Sequence, residues 1–391
     1  MTAFPRTVPS GPTDLAQRSL GPDLARGFML LFIALANSHY FLTGEPVLGG
    51  FPQDGSRLDR VVTWLISTFV DGRSFPLFGL LFGYGVAQVV RRQTGSRRDT
   101  RRLLRRRSLA LIGIGLVDAW LFYVGDILAL YGVLLLLGAW LVHLRDRWLW
   151  VVAAVFFVLN ALPGAGSLST STAPPDPSML APDLAGQLLD RLPVIAFVAL
   201  VGPIGFGCPF LLGLLAGRRR LLELVDQHRR LLRLTAAVGI GVAVVGAQPV
   251  ALMLAGVLSR PSARALTYLG PLHDATGLFG GCGYAALIVL VATRWAASPG
   301  RVVRAVAATG QRSLTCYLVQ SVAWWLLFTP YLLDLPGRLS ISATALVATG
   351  VWLLSVLLAD QLRRAGQRGP FEVLVRRVTY GPAPPRPDDA S

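Results

Sequence analysis

Residues 73–124 read RSFPLFGLLFGYGVAQVVRRQTGSRRDTRRLLRRRSLALIGIGLVDAWLFYV. Two apolar runs, 73–90 and 108–124, flank a connector crowded with Arg91, Arg92, Arg97, Arg98, Arg101, Arg102, Arg105, Arg106 and Arg107. Each run has the length of a helix that crosses the hydrocarbon core of a bilayer. Within that core, only helices and closed barrels pair every backbone polar group. Arginine concentrated in a short loop marks the cytoplasmic side of such a pair. The stretch therefore predicts a transmembrane hairpin with its loop in the cytoplasm.

The same pattern extends in both directions. Apolar runs at 24–42, 127–143, 148–164, 192–216, 235–258, 272–293, 313–333 and 341–360 complete a set of about ten predicted spans. The stretch 61–72 is too short to cross; it reads as an interfacial segment or an extension of the second span. The remaining arginine clusters are Arg145 and Arg147, then Arg218 to Arg220 with Arg229, Arg230 and Arg233, then Arg294, Arg301 and Arg304. A last group, Arg363, Arg364, Arg368, Arg376 and Arg377, follows the final run. All of these fall on one face, and the alternate loops (43–60, 165–191, 259–271, 334–340) are poorer in arginine. The expected fold is all-α, a polytopic integral membrane protein with N- and C-termini in the cytoplasm. A polar tail (1–20) is expected to precede an N-terminal bundle (21–164). A Ser/Thr/Pro-rich outer loop (165–191) then leads to a C-terminal bundle (192–385).

Composition agrees. Of 391 residues, 53% are hydrophobic and 15% charged, against about 25% charged in soluble domains. Mean hydropathy is +0.56. The formal net charge is +16 and all 37 basic residues are arginine. Because the clusters sit between apolar runs, they read as membrane flanks, and no nucleic-acid partner is expected. The lipid bilayer is the expected partner. Cys208, Cys282 and Cys316 lie in apolar segments without CxxC spacing, so they read as packing residues, and no metal site is expected. No signal-peptide pattern precedes the first apolar run. Gly79 and Gly83 are spaced for close helix packing, and Trp148, Trp150, Trp324 and Trp325 for an interfacial belt.

Ionisable groups inside spans are costly and are functional candidates by default. Asp23 and Arg26 open the first helix three residues apart, where they can pair, and Gly27 would let another helix approach. Asn37, His39 and Tyr40 lie near the outer end of that helix. Asp71 and Arg73 open the second span, and Asp118 lies in the outer half of the third. Asp126 sits where its carboxylate would cap the next helix. His273 and Asp274 begin the eighth span on the outer side. Together they permit general-base chemistry, with His39 or His273 as base and a carboxylate orienting the ring. They equally permit a binding site for a proton or polar solute in a transporter. There is no GxxxxGK[ST], HExxH or GxSxG motif.

Five segments together resemble the YeiB-like bacterial membrane proteins, domain-of-unknown-function family 418. They are DLARG (23–27) with Asn37, FPLFGLLFGYG (75–85), GDILALY (125–131), GQRSLTCYLVQS (310–321) and GPFEVLVRRVTY (369–380). The family domain would cover roughly 225–385, and the resemblance implies a bacterial plasma membrane location. The N-terminal half also looks similar to the heparan-α-glucosaminide N-acetyltransferase group of membrane acyltransferases. That group carries asparagine in the slot fourteen residues beyond the first aspartate, here Asn37. Two departures stand out: residues 43–60 contain no histidine, and Asp118 occupies the position where many family members carry one. The resemblance implies an acyl-CoA co-substrate held by arginines such as Arg26 and Arg92, and a small-molecule acceptor at the outer face. Asn37, His39, Asp118 and Asp126 would be catalytic. Asp23, Arg26, Asp71, Arg73, Tyr131, His273, Asp274 and Gln320 would line the substrate sites. A base must then come from His39, Asp118 or His273, or the activity is lost. The alternative is a small-molecule transporter using the same cluster, with a discontinuous helix at Asp71-Gly72-Arg73, or a non-catalytic membrane protein. A tunnel from Arg26 to Asn37 would favour acyl transfer; a midplane cavity closed on both sides would favour transport.

Overall fold

The computed structural model describes residues 19–164 and 166–381; the expectations for residues 1–18, 165 and 382–385 lie outside the described residues. The helices are α1 (Leu20–Ser38), α2 (Arg57–Phe69), α3 (Ser74–Arg91), α4 (Arg97–Leu121), α5 (Leu128–Leu141), α6 (Asp146–Ala161) and α7 (Leu184–Arg218). They continue with α8 (Arg229–Leu254), α9 (Ala263–Ala292), α10 (Arg301–Gln311), α11 (Ser313–Phe328), α12 (Ile341–Arg364) and α13 (Pro370–Tyr380). A 3₁₀ turn, His39–Phe41, follows α1, and a two-residue antiparallel hairpin, β1 (Val47–Leu48) with β2 (Phe51–Pro52), lies in the next loop.

Among the described residues, six segments are long and apolar enough to cross a membrane: Leu20–Phe41, Arg57–Arg91, Leu184–Arg218, Arg229–Leu254, Ala263–Trp295 and Ile341–Arg364. The α5 and α11 helices are apolar but only 14 and 16 residues long. Leu200, Val245 and Leu346 are each more than 70% exposed on such helices, a cost in water that hydrocarbon removes.

Several boundaries differ from the sequence expectation. The arginine connector is helical from Arg97 because Ser96 and Asp99 form a reciprocal capping box and arginine is a good helix former. Helix α7 starts at Leu184, inside the expected outer loop, where Asp183 accepts from the Gly186 amide. The stretch 61–72 belongs to a capped helix, α2, joined to α3 by a turn at Gly72 with φ +70°. Amphipathic helices α10 and α13 were not anticipated. Trp324 is not part of an interfacial belt: it is 1% exposed and stacks on Phe328 at 5.4 Å. Trp148 and Trp150 are exposed.

Glycines set the closest helix contacts. A Cβ on Gly83 would lie 2.0 Å from the Phe210 carbonyl oxygen, and one on Gly213 would lie 2.0 Å from that of Leu80, so α3 and α7 touch backbone to backbone. Gly27 meets Val306 of α10 in the same way. Arg91 donates to the Gly217 carbonyl and pairs with Glu223 at 2.7 Å. Burial alone would raise the Glu223 carboxyl pKa. Bonds from Gln88, Arg220 and Arg91 outweigh it and hold the group at about 2. Arg218 pairs with Asp146 at 2.5 Å, and Arg101 lies over the Trp140 ring. These contacts gather the C-terminal ends of α3, α5 and α7 and the N-terminal ends of α4, α6 and α8 at one end of the bundle, the arginine-rich end.

Candidate functional site

A cleft of about 260 Å³ opens among α1, α3, α4, α5, α11 and α13 near the arginine-rich end. Arg26, Arg107, Arg312, Arg368 and Arg376 line it, with Glu372 as the one acidic residue. Arg26 donates to Asp23 at 3.2 Å, as the spacing of three predicts, and to the Leu81 carbonyl at 3.4 Å. Arg312 is anchored by the Gln367 and Ala308 carbonyls. Glu372 accepts from the Leu314 and Thr315 amides at 2.8 and 3.1 Å and from the Thr315 hydroxyl at 2.5 Å. It thereby caps α11 and pins α13 beside the cleft. Even with Glu372 and the Asp23 partner of Arg26 counted, the surroundings of the cavity are net positive, a setting that favours an anionic ligand.

The rest of the lining is apolar and aromatic, including Phe78, Phe82, Leu128, Tyr131 and Tyr317. The Tyr131 ring is caged by Phe78, Phe82 and Phe206 at 4.5 to 5.4 Å, and its buried hydroxyl has no protein partner. An unmade bond of this kind costs about 1–3 kcal/mol, so the hydroxyl is a ready anchor for a ligand. Arg92 is not among the lining residues, and neither is Asn37, which is 5% exposed on α1. The cleft starts at Arg26 as a tunnel would, but it stops at the two tyrosines.

Behind this lining lie Asp118 and Asp126, 2% and 1% exposed. Asp126 accepts from the Leu128 and Ala129 amides at 2.8 and 3.0 Å, which is the expected capping role. Asp118 accepts from Ser321 at 2.8 Å and faces Asp126 within reach of a shared hydrogen bond. Tyr317 also faces Asp126, and its oxygen accepts from the Ile127 amide at 3.2 Å. Gln320 donates to the Leu30 carbonyl at 3.3 Å.

The remaining candidates gather at the opposite end. His39 Nε2 lies 3.6 Å from Asp71 Oδ2, its Nδ1 is 3.4 Å from the Leu35 carbonyl, and its ring stacks on Phe51 at 4.0 Å. Arg73 is fully buried: it donates to His273 Nε2 at 2.8 Å, the Asp71 carbonyl at 2.5 Å and the Ala243 carbonyl at 2.7 Å. His273 Nε2 lies between the Arg73 guanidinium, which only donates, and the Ser67 carbonyl at 3.0 Å, which only accepts, and its Nδ1 faces Asp274 at 3.4 Å. Asp274 accepts from Ser167 and Ser169, tying the outer loop to α9. Tyr40 is within electrostatic range of Asp71, Asp274 and Tyr123, and Tyr123 of Asp118 and Asp126. Polar groups therefore run from the cleft to the far cluster.

Arg107, Arg312, Arg368, Arg376, Glu372, Tyr317 and Arg191 were not picked out from the sequence. Arginines at span ends look like topology signals, and only the fold converges them on one cavity. The GPFE start of α13, a proline at the first helical position followed by an acidic residue, was the one local signal.

Residues 216–382 match the family described as Protein of unknown function (DUF418). The chain is also 25% identical over 410 residues to the protein "Uncharacterized protein YxaH" of Bacillus subtilis (strain 168), covering 94% of this chain and 96% of that one. The YeiB-like label thus fits the C-terminal half, where the match runs from the end of α7 through α13. The matched segment supplies the wall of the cleft formed by the end of α10, by α11 and by α13; the wall bearing Arg26, Arg107 and Tyr131 lies outside it.

Proposed function

We propose that this chain is a multi-pass protein of the bacterial plasma membrane that takes an acyl-CoA into the arginine-lined cleft and passes the acyl group to a small acceptor from the outer side. The observation that carries this reading is the cleft itself, whose cationic rim and aromatic inner wall match a donor with phosphates at one end and an acyl thioester at the other. The resemblance of the N-terminal segments to membrane acyltransferases supports it. In the reaction, an acceptor hydroxyl or amine attacks the thioester carbonyl. A C–O or C–N bond forms, the C–S bond breaks, the acceptor proton goes to a base, and CoA leaves as the thiol after taking a proton. His39, oriented beside Asp71, is the proposed base, with Asn37 on the preceding turn positioning the acceptor. For the acyl end to reach them, the closed stretch between the two tyrosines and Asn37 must open. Helix directions support ten spans with both termini in the cytoplasm, the arginine-rich end facing inward.

The test is purified protein in nanodiscs with labelled acetyl-CoA and a panel of sugar and amine acceptors. CoA release should exceed that of a His39→Ala/Asn37→Ala double variant, and Arg376→Ala should raise the KM for acetyl-CoA about tenfold, the worth of one charge-assisted bond. Release no greater than that of the double variant would sink the enzyme reading. A second reading, transport of a small polar solute, draws on the turn between α2 and α3 and the buried Arg73–His273 contact beside it. It predicts solute flux into proteoliposomes that is lost in Arg73→Gln and indifferent to CoA.

A further inference from the structure

Between the cleft and the far cluster sits an arrangement that the acyl-transfer reading does not need. The Asp118 and Asp126 carboxyls face each other almost without exposure. Each has one oxygen satisfied: Asp118 Oδ2 by Ser321 and Asp126 Oδ2 by the Leu128 and Ala129 amides. Each has one oxygen, Oδ1, that is buried and without a donor. The charged and titratable groups around them are few: Tyr123 from the end of α4, Tyr317 from α11 and Arg191 from α7. Arg191 is 2% exposed and donates to the Ser178, Ala119 and Trp120 carbonyls, close enough to Asp118 to act on its charge.

The charge balance decides the protonation state. One buried guanidinium compensates one carboxylate; a second carboxylate a hydrogen bond away would be uncompensated and repelled. Two neutral carboxyls would leave Arg191 without a counter-charge. A pair holding a single proton satisfies both constraints and supplies a donor where the buried oxygens have none, as adjacent carboxyls in other proteins do. Tyr317 faces Asp126 on one side and lines the cleft on the other.

From this we infer that Asp118 and Asp126 form a proton-binding site, one proton shared between two carboxyls, that exchanges with the cleft through the Tyr317 hydroxyl. On uptake Tyr317 gives its hydroxyl hydrogen to Asp126 and takes one from hydronium in the cleft, leaving water. On release Asp126 returns its proton to the Tyr317 oxygen while the hydroxyl hydrogen passes to cleft water. The tyrosine thus carries no lasting charge, and the pair holds one proton at rest and none only in passing. The site serves proton delivery to a leaving group in an enzyme or proton coupling in a transporter, and does not depend on which ligand the cleft takes.

Infrared spectroscopy of the full chain in nanodiscs tests it. At neutral pH, the protonated-carboxyl absorption lost on going from wild type to an Asp118→Asn/Asp126→Asn double variant should equal one carboxyl, and each single variant should alter that band. An absorption equal to two carboxyls, or to none, overturns the shared proton; so does a band untouched by one of the single variants. Asparagine keeps the capping acceptor at 126, which preserves α5. Should those variants fail to accumulate, Ser321→Ala leaves both carboxyls in place and must still shift the band, since it removes the hydroxyl bonded to Asp118. Tyr317→Phe should keep the band amplitude and slow its hydrogen–deuterium exchange at least about tenfold, the worth of one lost hydrogen bond in the relay. Exchange at the wild-type rate overturns the route through Tyr317.

Discussion

Arg73 shows what one residue's sequence context reveals and conceals. It stands two positions after Asp71, where both read as charges opening the second predicted span. Its guanidinium reaches the Asp71 backbone carbonyl, the Ala243 carbonyl and a histidine 200 positions away, and the Asp71 carboxylate turns toward His39. The sequence marks both as buried charges worth attention because insertion in a membrane is costly. It carries no trace of the pairing, which depends on α2, α8 and α9 meeting. Replacing Arg73 with Gln leaves two buried carbonyls short of donors and removes the contact with His273. The expected loss is about 3 kcal/mol of stability, read as a lower denaturation midpoint in detergent. Arg73→Lys should recover only part of it, because a point charge does not reproduce the planar fork that serves three acceptors. Full stability in Arg73→Gln would mean that water replaces the guanidinium and that the cluster is solvated.

At the scale of elements, the long apolar helices were legible because hydrophobic length is the signal and the bilayer sets it. The misses share one cause. The N-terminal part of α4, the start of α7, and helices α10 and α13 are polar or amphipathic, so hydropathy is silent and capping or packing decides them. The arginines at 97–107 read as a loop by charge, yet the Ser96–Asp99 capping box starts a helix there. The candidate site fared likewise: residues inside spans, Arg26 among them, were picked out, whereas the cleft's other arginines sit on or beside such amphipathic stretches. Contact between elements was legible at the glycines. Gly79 and Gly83 were expected to seat a neighbouring helix, and α7 lies there, with Gly213 answering Gly83. Gly83→Ala should therefore destabilise by about 1–3 kcal/mol, because the new methyl meets the Phe210 carbonyl and backbone does not yield cheaply. Gly113, on α4, has nothing within 4 Å of its would-be Cβ. Gly113→Ala is the matched control, and its denaturation midpoint should hold or rise. Equal effects at both positions would show that helix propensity, and not the α3–α7 contact, sets the result.

For the whole molecule, the question is how many times the chain crosses, and helix directions bear on it more than length does. Gly79 meets Pro209, Gly83 meets Phe210 and Leu214, and Arg91 bonds the Gly217 carbonyl, so α3 and α7 run parallel. Parallel neighbours require an odd number of crossings between them, and α4, α5 and α6 are the helices available. Gly115 meets Ala129 and Gly132 meets Ser108, so α4 and α5 are antiparallel over most of the length of α5. Three crossings follow naturally, although α5 has only 14 residues. The same reasoning applies later in the chain. The start of α1 meets Val289 near the end of α9, while Gln367, just past α12, reaches Arg312 beside the Gly310 that touches Asp23. Both α9 and α12 thus run toward that end, and α11 must return between them despite its 16 residues. Single-cysteine labelling decides the matter, with Cys208, Cys282 and Cys316 replaced by alanine. In intact cells an impermeant maleimide should label Gln53→Cys, Thr172→Cys and Gly337→Cys. It should reach Gly95→Cys, Gln227→Cys and Ser298→Cys only after the membrane is opened. If only the six long segments cross, Thr172 must behave like Gly95 and Gly337 like Ser298. Such a result would turn α4 to α6 and α11 into interfacial helices and remove the inward-facing cleft that the proposed acyl-CoA binding requires.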